Sequence, residues 1–118
     1  MSLRLQHIED AMRRIAPFVH ETPIFSSSLL NEWSGHDIFF KCEYFQKTGA
    51  FKVRGAMNTI AWLRETGKQL DHVVANSSGN HGQAVAYAAR HFGVGATVFM
   101  PSYSSTIKIK ATQSYGAK

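Results

Sequence analysis

Gln46-Lys47-Thr48-Gly49-Ala50-Phe51-Lys52-Val53-Arg54-Gly55-Ala56 sets a lysine between a Thr-Gly turn and an Arg-Gly pair. Downstream, Met57, Ile60 and Leu63 recur at three-residue spacing, which predicts a helix from about Phe51 to Thr66 ended by Gly67, with Lys52 on its first turn. A lysine there is, taken alone, ordinarily a solvated side chain. Here positive charge from Arg54 and partial burial are expected to favour the neutral amine, the form that attacks a carbonyl to give a Schiff base. A second run, Ser77-Ser78-Gly79-Asn80-His81-Gly82, falls between a strand at His72 to Ala75 and an alanine-rich helix from about Asn80 to His91. Ser and Asn commonly cap a helix start. The unpaired N–H groups of such a start also attract an anion, so the run reads as a carboxylate or phosphate cradle.

Working outward, Leu5, Ile8, Met12 and Ile15 lie on one face of a helix predicted from Arg4 to Ala16 and stopped by Pro17. Thr22-Pro23 forces an extended entry, and a short helix over Leu29 to Trp33, capped by Ser27 or Ser28, stops at Gly35. Asp37 to Glu43 and Gly95 to Met100 read as strands, and Ser104 or Ser105 caps a last helix through about Tyr115. Strands alternating with helices predict an α/β fold around a parallel, right-handed layer.

The two runs, together with Lys41-Cys42-Glu43-Tyr44-Phe45 ahead of the first, Met100-Pro101 and Tyr115-Gly116-Ala117, resemble the fold type II pyridoxal-phosphate enzymes, in particular the serine/threonine dehydratase and serine racemase branch. The resemblance implies a three-layer open parallel sheet, here truncated, because members of that family are longer and carry the glycine-rich phosphate loop, the partner of the pyridine nitrogen and any metal site further along. Residues 1–47 would then begin the large domain, and residues 48–118 would form an incomplete small domain. The implied cofactor is pyridoxal 5'-phosphate, bound as a Schiff base by Lys52, which also takes the substrate α-proton. Phe51 would pack at the cofactor ring as well as in the core, and Asn80 would meet the cofactor's 3-hydroxyl. Ser77, Ser78, Gly79, Asn80 and His81 would hold the substrate carboxylate, with Ser78 on the ring face opposite Lys52.

The implied activity is an ammonia-lyase reaction on L-threonine or L-serine, with serine racemase as the alternative and a noncatalytic anion-binding fragment as the reading from a different class. A small amino acid is the implied partner, and a homo-oligomer the implied assembly of a complete chain. Gln46-Lys47 stands where cysteine-synthase-type and threonine-synthase-type relatives place Asn-Pro; Phe51 and the Ser77 to Gly82 run further separate the chain from the former, and Val53, where aspartate is usual, from the latter. Two positions depart from the branch: Ala50 stands where serine is frequent, and Ser104-Ser105 where Ala-Pro is frequent.

Composition narrows the alternatives. The formal charge is +5, but the basic residues are scattered from Arg4 to Lys118 without a dense stripe, so no nucleic-acid partner is expected. No apolar run is long enough for a membrane span, and the first residues lack a secretory pattern, so a cytoplasmic location is the expectation. Cys42 is the single cysteine and reads as a small core residue. The remaining histidines lack metal-ligand spacing, and no metal site is expected. Trp33, Trp62 and the phenylalanines read as packing, Arg54 as an ion-pair residue or a positive neighbour of Lys52, and Glu43 as a strand end without a direct catalytic role.

Overall fold

The computed structural model describes residues 2–118. Helix α1 (Leu5–Ile15) is followed by β1 (Ile24–Ser26), α2 (Ser28–Ser34), β2 (Phe39–Lys41), α3 (Lys52–Glu65), β3 (His72–Asn76), α4 (Asn80–His91), β4 (Gly95–Phe99) and α5 (Thr106–Ser114). Two single-turn 3-10 segments, Glu43–Phe45 and Lys47–Gly49, link β2 to α3.

The α/β class holds, with one correction to the sheet. The strand expected at Asp37 to Glu43 forms only over Phe39–Lys41, and it pairs antiparallel with β1, outside the parallel layer. The extended entry that Pro23 forces returns the chain alongside β2, and α2 closes the pair as a short connection. Ser27 Oγ accepts from Leu30 N at its start, and Gly35 ends it in the left-handed conformation. Of the expected parallel sheet, β3 and β4 are present in register from His72 opposite Gly95 to Asn76 opposite Phe99. A further step is begun at the far edge of β4, where Lys118 N donates to Ala96 O at 3.0 Å and Val98 N donates to Lys118 O at 2.8 Å.

The core lies between α3, α4 and β4. Val53 and Met57 on α3 are fully buried, and Ile60 nearly so. They meet Ala84, Ala88 and Ala89 of α4, whose small side chains let the two helices pack closely. Burial of a side chain such as Met57 stabilises the fold by roughly 1.5–3 kcal/mol. At the far end of α4, Phe18, His91 and Phe92 stack edge to face, and Tyr87 meets Tyr115 the same way.

Several packing expectations are corrected. On α1 only Ile15 is buried; Leu5, Ile8 and Met12 stay open, and α1 is tied to α3 by Arg14, which pairs with Glu65 at 2.6 Å and donates to Asn58 at 2.8 Å. Trp33 and Trp62 are exposed, as are Phe25, Phe39, Phe40, Phe45 and Phe99; of these, Phe25, Phe39 and Phe40 belong to the antiparallel pair, whose strand residues are all exposed. Phe51 is 56% exposed and so is not a core residue. Ser105 precedes α5 without a side-chain cap bond. Cys42 is buried, as read.

Candidate active site

Chain direction places the two diagnostic runs together. Helix α3 ends at Glu65 and delivers the chain to the start of β3, so its first residue, Lys52, lies towards the opposite end, where β3 finishes at Asn76 and α4 begins at Asn80. Both helix starts therefore stand at the carboxyl ends of the parallel strands, the edge where open α/β sheets bind ligands. The lysine loop is also in contact with α4 through residues Lys47–Gly49.

That loop is held from both sides. Gln46 is 3% exposed, and its side-chain carbonyl accepts from His20 N and Lys47 N, both at 2.9 Å, while its amide donates to His20 O at 2.7 Å. Thr48 and Gly49 follow with φ of 65° and 67°. For a β-branched threonine this is a costly conformation, and its buried Oγ1 has no partner. On the helix side, Arg54 forms a fork with Glu43, while Thr22 Oγ1 donates to Glu43 Oε1 at 2.6 Å. The Arg54 guanidinium, more than any other neighbour, holds the Glu43 carboxyl below its usual range, and Thr22 and Lys41 act in the same direction against the opposing effect of burial.

Two expectations about Lys52 change as a result. Its side chain is exposed rather than partly buried, with Nζ 4.8 Å from the centre of the Phe51 ring, and the charge of Arg54 is matched by Glu43 instead of facing the lysine. Glu43 and Thr22, which carried no signal beyond a polar residue at a strand end, are the groups that anchor the first turn of α3.

In the second run, Ser77 Oγ accepts from Gly79 N at 3.2 Å and Gly82 N at 3.0 Å, which leaves its own O–H free to donate. Ser77 thus does the capping work. Gly82 is required by close approach, because a Cβ there would lie 2.8 Å from Val98 Cγ1. Gly79 is buried, whereas Ser78, Asn80 and His81 are exposed. Their backbone N–H groups and side chains have no hydrogen-bond partner among the described residues. A cleft of about 410 Å³ runs along β3 from Gly55 and Thr59 on α3 to His81 and Val85 on α4; Lys52 and Ser78 lie outside its lining.

An exposed lysine amine and a row of unused N–H, hydroxyl and amide groups at one sheet edge fit a ligand that combines an aldehyde with anionic oxygens. The geometry defines an α/β protein whose strand ends present an exposed lysine amine and unpaired donors. The family model for pyridoxal-phosphate dependent enzymes matches residues 15–118, and the chain belongs to that family, the fold type II class, whose cofactor is pyridoxal 5'-phosphate. It is 48% identical over 112 residues to serine racemase from Bos taurus, covering 93% of this chain and 34% of that one. It is 46% identical over 116 residues to L-threonine ammonia-lyase from Thermotoga maritima, covering 98% and 29%. A crystal structure of a pyridoxal 5'-phosphate-dependent aspartate racemase superposes with a TM-score of 0.93 at 38% identity, covering all of this chain and 37% of that one. The chain thus spans about a third of the length of these relatives. Among the described residues no helix is long and apolar enough to cross a membrane, and no cluster of three acidic, histidine or cysteine side chains is placed to hold a metal.

Proposed function

We propose that this chain supplies the lysine and the carboxylate loop of a threonine/serine ammonia-lyase, which releases ammonia and a 2-oxo acid from a small β-hydroxy amino acid. The observation that carries the reading is that the loop leading to Lys52 packs against α4 at the edge of the parallel sheet where Ser78, Asn80 and His81 leave their donors unused. In this reading Lys52 Nζ holds pyridoxal 5'-phosphate, Phe51 borders its ring, and Asn80 meets its 3-hydroxyl. The bound cofactor supplies an electron sink for charge developing at the substrate α-carbon. The N–H groups of Ser78, Asn80 and His81 and the free O–H of Ser77 grip the substrate carboxylate, with Gly79 allowing close approach. The grip turns the α-hydrogen towards Lys52, so that binding energy becomes orientation. Once the substrate amine had displaced it from the cofactor, Lys52 Nζ would be a free amine placed to take that proton. Loss of the β-hydroxyl leaves an enamine that hydrolyses to the 2-oxo acid and ammonia. Residues 1–47 as the opening of a large domain and 48–118 as part of a small one belong to the same reading, as does assembly of the complete enzyme into a homo-oligomer.

Serine racemase activity is the second reading. Its support is the unpartnered, exposed Ser78 hydroxyl, which would return a proton from the face opposite Lys52, together with the 48% identity to a serine racemase. The test is borohydride reduction of the protein isolated from its source, peptide mapping, and assay of ammonia and D-serine. Reduced cofactor on Lys52 with ammonia released from L-threonine is expected. D-serine without ammonia would favour the racemase, and a protein with no adduct on Lys52 would leave the noncatalytic anion-binding reading in its place.

A further inference from the structure

Lys108 lies on the first turn of α5 (Thr106–Ser114), where the helix dipole disfavours a cation. Its side chain reaches the start of a second helix: a Cβ on Gly79 would lie 3.0 Å from Lys108 Nζ and 3.4 Å from its Cδ. The ammonium therefore rests against Gly79, at the loop whose Ser78, Asn80 and His81 N–H groups have no acceptor. No carboxylate pairs with Lys108 among the described residues, where the ion pairs are Arg13 with Asp10, Arg14 with Glu65 and Arg54 with Glu43. A full positive charge, the positive ends of two helices and three free donors thus converge without a counter-charge. Each repels the others until an anion enters, and each then becomes attractive to it.

We infer that Lys108 is a substrate-binding residue whose ammonium supplies the charge that holds the substrate's α-carboxylate at the Ser77–His81 loop. The inference rests on the carboxylate reading of that loop. It adds a separate element, since backbone donors alone bind by geometry and partial charge, whereas an ammonium selects for a full negative charge.

The test is an amide chemical-shift titration of the 118-residue chain with acetate and, separately, with inorganic phosphate, on the wild type, Lys108→Met and Lys108→Arg. Acetate is expected to shift the Ser78, Asn80 and His81 amides in the wild type. Lys108→Met should weaken this roughly tenfold, the order of a charge-assisted hydrogen bond, and Lys108→Arg should restore most of it. Equal acetate affinity in the wild type and Lys108→Met, with the same amides moving, would overturn the role of Lys108 while leaving the loop reading intact. Absence of any shift in the wild type would overturn the loop reading and the inference with it. Phosphate binding that depends on Lys108, with acetate binding that does not, would overturn the carboxylate assignment. Lys108 is exposed, and the unperturbed remainder of the spectrum reports that each variant is folded.

Discussion

Arg54 holds Glu43 with two arms of its guanidinium, Nε to Oε2 at 2.9 Å and Nη2 to Oε1 at 2.8 Å, and the same Nη2 reaches His20 O at 3.2 Å. This one pair ties the segment after β2, and the chain entering β1, to the first turn of α3, two residues beyond Lys52. Both side chains are shielded, at 30% and 19% exposure, so the pair is more than a solvated surface contact.

Glu43→Ala leaves the Arg54 guanidinium half-buried without its carboxylate. A loss of about 1–3 kcal/mol in unfolding free energy is expected, measured by urea denaturation of the wild type and the variant. A change within a few tenths of a kcal/mol would mean that Thr22 and His20 hold Arg54 unaided.

Acid stability follows from the same carboxyl. Its folded-state value lies below the ordinary 4.5, chiefly through the Arg54 hydrogen bond, so the unfolded chain binds the proton more readily. The contribution is fully present above 4.5 and is lost as pH falls through the lower folded value. Stability measured between neutral and acid pH should fall less steeply for Glu43→Gln than for the wild type. Identical slopes would place the acid sensitivity elsewhere, for instance at Asp10, whose carboxyl is also lowered, by hydrogen bonds from Gln6 and Arg13.

Ser77→Ala removes the acceptor of two backbone N–H groups at the start of α4. A destabilisation of about 1–2 kcal/mol is expected, together with faster hydrogen exchange at Gly79 and Gly82. Unchanged exchange there would show that the loop keeps its shape without the hydroxyl.

Gly82→Ala sets a methyl group 2.8 Å from Val98 Cγ1, at the contact between α4 and β4. Helix propensity favours alanine, yet the collision should dominate and lower the melting temperature. A rise would show that β4 yields easily.

Lys52→Ala is expected to leave stability within about 0.5 kcal/mol, since the side chain is exposed and unpaired. In the enzyme from its source it should abolish the borohydride-stable cofactor adduct and α-proton exchange together. A variant that folds normally and keeps both would sink the assignment of Lys52.

Much of the fold was legible because its signals are local. The apolar spacing of Met57 and Ile60 placed α3, and Gly35, Gly67, Gly93 and Gly116 all end elements with positive φ. The partnering of β2 was not legible. A three-residue strand carries no mark of its neighbour, and only the return of the chain through Pro23 sets Ile24–Ser26 beside it. At the site, the residue types and spacings of Lys52 and of Ser77 to Gly82 could be read directly. Lys108 could not, because a lysine on a first helical turn looks like a solvated side chain until the neighbouring loop is in view.

From its sequence alone this chain is an α/β protein of the pyridoxal-phosphate family, because that reading depends on contiguous runs whose chemistry lies in side-chain type and order. Only the tertiary structure decided that Arg54 answers Glu43 rather than Lys52, that Phe51 stays outside the core, and that Lys108 rests on Gly79. The reason is distance: Arg54 and Glu43 are 11 residues apart, and Lys108 and Gly79 lie on separate elements. Charges or rings from different elements meet only once packing has fixed where each element points.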